Sequence, residues 1–322
     1  MNNSMSPIVL FAYNRPWHTQ QLLNSLAQNA EAKDSILYVF CDGAKEDTTT
    51  DNLFKIEEVR SLINSENRFK AVVIKVQEKN KGLANSIIDG VTEVINNYGK
   101  VIVLEDDLIL SPYFLAYMND SLDRYKNNLN VGQIGACNFF ACGKNYPNYF
   151  FVPIPDCLGW ATWKERWECF NPNVDELAKQ LEEDKTKRHI FNAYGAYDFI
   201  GMLDLQKQGK VDSWAIRWQA VCVLKGWLTL YPNPSMTNHV ESQVATHANI
   251  NIMPPILVEL PNFKTIEFKE IDKVITAFKL GCSGKGDYFG KEKKEFKNKK
   301  IKKIIKLFIP PIIFVIWKKI IK

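Results

Sequence analysis

The run Val101-Ile102-Val103-Leu104-Glu105-Asp106-Asp107 ends an apolar segment, long enough for one buried strand, in three consecutive carboxylates. Like charges crowded at the carboxyl end of a core strand repel one another unless a metal ion or a proton relieves them. In open α/β sheets ligands bind at the carboxyl ends of strands, so these acids lie where a phosphate-bound metal would sit. Hard oxygen ligands suit Mg2+ or Mn2+ bridging a diphosphate. An acidic turn explains the triplet equally well when it is taken alone.

Regular elements must hold such a triplet in place, and the first half of the chain supplies them in alternation. Residues 7–13 (PIVLFAY), 35–41 (SILYVFC), 71–77 (AVVIKVQ) and 101–104 read as strands. Residues 16–29, 53–64 and 84–97 between them read as helices, the first with Pro16 in its opening turn and leucines at 22, 23 and 26. Four such βα repeats predict an α/β, Rossmann-like sheet with right-handed crossovers. The second half is less regular and richer in aromatic residues. A helix is expected from Ser111-Pro112 to about 126, a strand over 131–137, and helices over 177–194 and 213–225. The tryptophans of 149–167 suit a ring-stacking wall, but an ordinary core is the preferred reading for most of them.

At 322 residues and 46% hydrophobic content the chain can bury a large core. The seven cysteines are scattered without a C-x-x-C pair, which implies neither a zinc site nor a disulfide framework. The first strand follows Met1 too closely for a secretory leader, so a cytoplasmic protein is expected. The formal charge of +5 is uneven: thirteen lysines against three acids over 285–322 put that segment at +10 and the remainder at about −5. Within it, 307–317 (LFIPPIIFVIW) is too short to cross a ~30 Å hydrocarbon core, which takes about 20 helical residues. A basic amphipathic segment of this kind suits an anionic membrane surface; a disordered tail and an oligomer contact are the alternatives. No nucleic-acid partner is expected, because the body lacks a basic face or an RNA-binding motif.

Taken in order, PIVLFAYNRP, FCDGAKED, NKGLANSI, VIVLEDD, LGWATWKERW and DSWAIRWQAVCVLKGWLTLYP resemble the bacterial GT-A-fold glycosyltransferases related to N-acetylglucosaminyltransferase I, over roughly residues 6 to 250. The resemblance implies a mixed, mostly parallel sheet flanked by helices. Its nucleotide-sugar-binding part would span 1–130, its acceptor-side part 131–260, and a C-terminal extension with the basic tail 261–322. It also implies a nucleotide-diphosphate sugar donor, a divalent metal and inversion at the anomeric carbon.

Carried over by position, Asn14 and Arg15 would lie beside the nucleotide, and the planar fork of Arg15 fits a diphosphate. Asp42 resembles the acid that accepts a hydrogen bond from uracil, although an Asp-Gly turn explains it as well. Lys81 and Gly82 resemble the loop lining the donor pocket, with Gly82 permitting close backbone approach. Asp107 is the implied metal ligand, Asp106 would touch ribose or the metal's water, and Glu105 would orient its neighbours. His247 is a second implied ligand and His239 competes with it. Asp212 matches the general base; helix N-capping is its ordinary alternative. The acids of the triplet are expected at a sheet edge, so Asp107→Ala is expected to stay folded and to lose metal-dependent donor turnover.

The resulting expectation is a metal-dependent inverting glycosyltransferase on the inner face of the cytoplasmic membrane, extending a lipid-linked surface glycan such as lipooligosaccharide, O-antigen or capsule. A nucleotidylyltransferase is the enzymatic alternative, but it would want a glycine-rich basic loop after strand one, and Ala12-Tyr13-Asn14-Arg15-Pro16-Trp17 is not that. A non-catalytic sugar- or nucleotide-binding scaffold is the alternative outside enzymes.

Overall fold

The computed structural model describes residues 5–138, 147–240 and 276. His247 and the basic tail therefore lie outside the described residues. The first half runs β1 (Ile8–Ala12), α1 (Pro16–Ala27), β2 (Ile36–Cys41), α2 (Thr50–Asn64), β3 (Ala71–Val76), α3 (Leu83–Tyr98) and β4 (Lys100–Glu105). Then come the short β5 (Leu108–Leu110), α4 (Phe114–Tyr125), β6 (Val131–Gly135), β7 (Tyr149–Val152) and β8 (Trp160–Trp163). The helices α5 (Lys164–Trp167), α6 (Val174–Glu183), α7 (Lys185–Phe191), α8 (Phe199–Lys207) and α9 (Trp214–Lys225) follow, and β9 (Leu228–Pro232) and β10 (Thr237–His239) come last.

Eight strands form one sheet in the order β3-β2-β1-β4-β8-β6-β9-β7, so both halves of the chain share it. It is mixed and mostly parallel: β1, β2, β3 and β4 pair in parallel, as do β6 and β9, while β8 runs antiparallel to β4 and β6. Helices pack against it. Leu22, Leu23 and Leu26 of α1 join one buried cluster and Ile87, Val91 and Val94 of α3 another. From β1 the chain steps to β2 and β3 on one side and then returns to place β4 on the other. The strand order therefore reverses between β1 and β4, the position at which open sheets leave a crevice for a ligand.

Two expectations for the second half are corrected and one, the core role of its tryptophans, holds. The helix expected over 177–194 is two, because Asp184 starts a new one by accepting the Thr186 and Lys187 N–H groups. The aromatic segment yields β7 and β8, whose Trp160 and Trp163 are core residues along with Trp167 of α5. Trp160 stacks on Trp214 with ring centroids 5.1 Å apart. Finally, the strand expected over 131–137 stops at Gly135, and the chain beyond it is fixed by a buried carboxylate.

That carboxylate is Asp156. Its Oδ2 accepts the N–H groups of Ala136 at 2.9 Å and Cys137 at 2.8 Å, and its Oδ1 accepts Leu158 N–H at 2.9 Å. Leu158 O in turn accepts the Thr237 hydroxyl at 2.7 Å, which links this knot to β10. Burial pushes the Asp156 carboxyl up to about 6 despite those donors. Asp156→Ala would orphan the Cys137 and Leu158 N–H groups, while Ala136 N–H keeps Gly159 O at 3.0 Å and the cost of burying a charge is spared, for a net loss of about 1–3 kcal/mol. Urea unfolding checks this, and a loss below about 0.5 kcal/mol would show that the knot is not structural.

Candidate active site

The crevice between β1 and β4 is closed by Arg15, the last residue before α1. Pro16 at the first helical position fixes the turn, and no acid in the first turn competes for the guanidinium. Arg15 therefore reaches across to the end of β4. Its Nη1 donates to Asp107 Oδ2 at 3.0 Å and its Nη2 donates to Asp106 Oδ1. The two aspartate side chains are 1% and 3% exposed, whereas Arg15 is 42% exposed. The acids are thus buried at the tip of a central strand and not at a sheet edge, which corrects the expectation made for them.

Electrostatics separates the three. Burial, and after it the charge of Asp107, pushes Glu105 up to about 8, so it holds its proton at neutral pH. Burial likewise pushes Asp106 up to about 6, although Arg15 pulls the other way. Burial would raise Asp107 too, but its hydrogen bond with His239 and the charge of Arg15 hold it down at about 2. Burial opposes the charge on Arg15 as well, and the two aspartates outweigh that effect, raising the guanidinium above its ordinary value. One guanidinium and one proton together relieve the repulsion that the sequence implies. Glu105 also faces Trp214, the first residue of α9.

His239 reaches Asp107 because β10 pairs antiparallel with β5, setting His239 opposite Leu108. The Val240 N–H donates to Asp107 O at 2.9 Å, and His239 Nε2 lies 3.2 Å from Asp107 Oδ2. Of the two histidines weighed from sequence, this is the one that the described residues place at the triplet. A further histidine escaped the sequence reading. His18, three residues after Arg15 and so on the same helical face, donates a hydrogen bond to the Val240 backbone. Burial and then Arg15 lower its pKa. The spacing Arg15-x-x-His18 was the available signal. Among the described residues Asp107 Oδ1 and His18 Nε2 are both buried without a hydrogen-bond partner.

A second cluster closes the ends of β2 and β3. Asp42 Oδ1 accepts the N–H groups of Gly43 at 2.9 Å and Lys81 at 2.8 Å; Oδ2 accepts Gly82 N–H and Asn80 Nδ2 at 3.0 Å each. A carboxylate offers about four acceptor positions, so Asp42 is fully engaged as a clamp on the loop before α3, and the expected uracil contact would have to displace one of these donors. At Gly43 a Cβ would stand 2.4 Å from the Lys79 carbonyl carbon, so this turn has room only for glycine. Gly82 has open space around it; what it needs is its φ of +78°. The Lys81 ammonium pairs with Asp89 at 2.9 Å on the surface and is not directed at the triplet. Asn14 donates to Asn52 of α2 at 3.2 Å.

Asp212 stands one residue before the cap of α9. Ser213 does the capping, accepting Ile216 N–H at 3.2 Å, so the ordinary alternative for Asp212 does not apply. The Asp212 carboxylate instead receives Arg217 Nη2 at 2.7 Å and is 54% exposed.

Among the described residues no three His, Cys, Asp or Glu side chains are grouped to hold a metal ion by themselves. Among the described residues the donor set is the Asp107 carboxylate, its Oδ2 against His239 Nε2 and its Oδ1 without a partner, which fits a hard divalent cation that draws its other ligands from phosphate and water. Among those residues no helix is long and apolar enough to cross a membrane.

No protein-family profile matches the sequence, and no curated protein matches it. Three solved structures show a partial likeness to this chain. The crystal structure of S. aureus TarS 1-349 matches over 44% of this chain and 38% of its own, with 18% identity and a TM-score of 0.31. The crystal structure of S. aureus TarS matches over 47% and 25%, with 16% identity and a TM-score of 0.31. This chain therefore spans well under half of either TarS chain. The mannosyltransferase PcManGT from Pyrobaculum calidifontis, in complex with GDP-Man and Mn2+, matches over 69% of both chains with 12% identity and a TM-score of 0.39.

Proposed function

We propose that this protein is a GT-A-like glycosyltransferase that moves a sugar from a nucleotide-diphosphate donor, a UDP-sugar in the first instance, to an acceptor hydroxyl. The observation that carries the reading is the Arg15, Asp106, Asp107 and His239 constellation at the point where the strand order reverses, with Asp107 Oδ1 left without a partner among the described residues. A carboxylate oxygen orphaned in a buried site costs free energy that a bound cation would recover.

Asp107 and His239 would hold Mn2+ or Mg2+, which when bound stabilises negative charge on the departing diphosphate. Arg15, half open to water, would turn part of its fork from the aspartates to the phosphates. Glu105, protonated and set against Trp214, keeps the triplet from carrying three full charges. The loop clamped by Asp42 would form the wall of the donor pocket, and Lys81 can leave its surface pair with Asp89 cheaply, since exposed pairs contribute about 0–1 kcal/mol. Asp212, held beside α9, would take the proton of the acceptor hydroxyl as its oxygen attacks the anomeric carbon, giving inversion. Charge development on the sugar would follow the oxocarbenium pattern of glycoside chemistry.

A lipid-linked surface glycan is the acceptor we infer, with the lysine-rich segment bringing the enzyme to the inner face of the cytoplasmic membrane. The test is a panel of nucleotide sugars incubated with the full chain and Mn2+ or Mg2+, read as release of nucleoside diphosphate. Release from one donor, abolished by EDTA and restored by metal, is the expected result. No release from any donor, together with no binding of UDP or GDP by calorimetry, would leave the non-catalytic scaffold.

A further inference from the structure

We propose that Arg217 is the positioning residue that aims Asp212; this rests on the reading of Asp212 as the base. Arg217 sits on α9 one turn past the Ser213 cap and its side chain is 9% exposed. Its Nε donates to Ser213 O at 3.1 Å and its Nη2 donates to Asp212 Oδ1 at 2.7 Å. The same Oδ1 receives a longer bond from Gln206 Nε2 of α8 at 3.4 Å, while Gln206 Oε1 accepts Ser213 N–H at 2.7 Å. Two side chains from two helices therefore fix one carboxylate oxygen and the peptide groups next to it. Among the described residues nothing hydrogen-bonds Oδ2.

A stabilising role explains this poorly. Burying a guanidinium is costly, and its partner is half exposed, where attraction is screened. Orientation explains it better. A planar fork tied at both Ser213 O and Asp212 Oδ1 sets the plane of the carboxylate, so that Oδ2 is presented in one direction. In the transfer step the acceptor O–H gives its proton to Oδ2, the acceptor oxygen bonds to the anomeric carbon, and the bond from that carbon to the diphosphate breaks with its electron pair leaving on the diphosphate. Arg217 stays protonated throughout and touches neither substrate. Misplacing a catalytic group by about 1 Å can cost about 10²-fold in rate, which sets the scale of the expected effect.

A double-mutant cycle on the full chain tests it, using UDP-sugars and GDP-mannose with Mn2+ and octyl glycosides as acceptors. Arg217→Ala should lower kcat for transfer about 10–100-fold with the donor KM unchanged, and Arg217→Lys should recover part of the loss. In an Asp212→Asn background the same substitution should cost nothing further. Equal losses in both backgrounds, or a loss carried by donor KM, would overturn the assignment, and Arg217→Lys serves for the cycle should Arg217→Ala not fold. Undiminished transfer by Asp212→Asn would instead remove Asp212 as base and with it the role of Arg217. A wild type releasing nothing from any donor would sink the sugar-transfer reading itself.

Discussion

Arg15→Met is expected to destabilise the metal-free protein by about 3–5 kcal/mol at about pH 8, the cost of leaving buried charges without their partner. The magnitude comes from the aspartates, 1% and 3% exposed, and not from Arg15, whose 42% exposure lets water screen it. The loss should depend on pH in a defined direction. In the wild type Asp107 is held at about 2, below its ordinary value, so its contribution is present above about pH 4 and lost as the pH falls towards 2. Asp106 and Glu105, raised to about 6 and about 8, act in the opposite sense: their contribution is complete below about pH 4 and declines as the pH rises through those values. Without Arg15, Asp107 keeps only His239 and Asp106 only a Tyr13 backbone hydrogen bond, so both titrate higher than in the wild type and cost more to ionise as the pH rises. The difference between variant and wild type should therefore be small near pH 5 and large near pH 8. Urea unfolding in EDTA at both values measures it. A difference independent of pH would mean that Arg15 does not neutralise the triplet.

Asp107→Asn should reduce donor turnover by about 10²–10³-fold, the usual cost of removing one group that stabilises charge developing in the transition state. Asparagine keeps the shape and an oxygen but not the charge, so cation binding between this residue and His239 should weaken. Calorimetry of UDP or GDP with Mn2+ should show the metal-dependent part of binding lost and the metal-free part retained. Folding should change much less. The substitution weakens one Arg15 bond and the His239 contact, but it also removes one of the two negative charges left crowded once Glu105 holds its proton, and Arg15 keeps Asp106. Asp107→Ala is a poorer test, because Asp107 is buried and truncation would leave a gap between Arg15 and His239. Wild-type turnover by Asp107→Asn would exclude this residue as a metal ligand.

The alternation of apolar strands with amphipathic helices was legible for the four βα repeats, because each strand is long enough to show its hydrophobic run and each helix carries its own punctuation: Pro16 at the start of α1, Gly99 in the left-handed conformation at the end of α3. The tryptophans of 160–167 were rightly assigned to a core. Short strands left no comparable trace. β5 and β10 have three residues each and are stable only through a pairing that spans more than a hundred positions, so no local periodicity could announce them. The loop clamp at Asp42 was hidden for a related reason: a buried carboxylate that accepts backbone N–H groups has the same sequence appearance as one that waits for a ligand.

The sequence alone determined that three carboxylates end a core strand and that a flexible basic fork follows the first strand, since both are matters of residue type and of apolar runs bounded by polar ones. Only the tertiary structure decided that these two tips face each other 91 positions apart, that His239 stands at Asp107, and that Asp212 belongs to Arg217 while Ser213 caps the helix. Such decisions rest on strand order and on hydrogen bonds between remote segments, and those follow from packing the whole chain at once and not from any stretch of it read by itself.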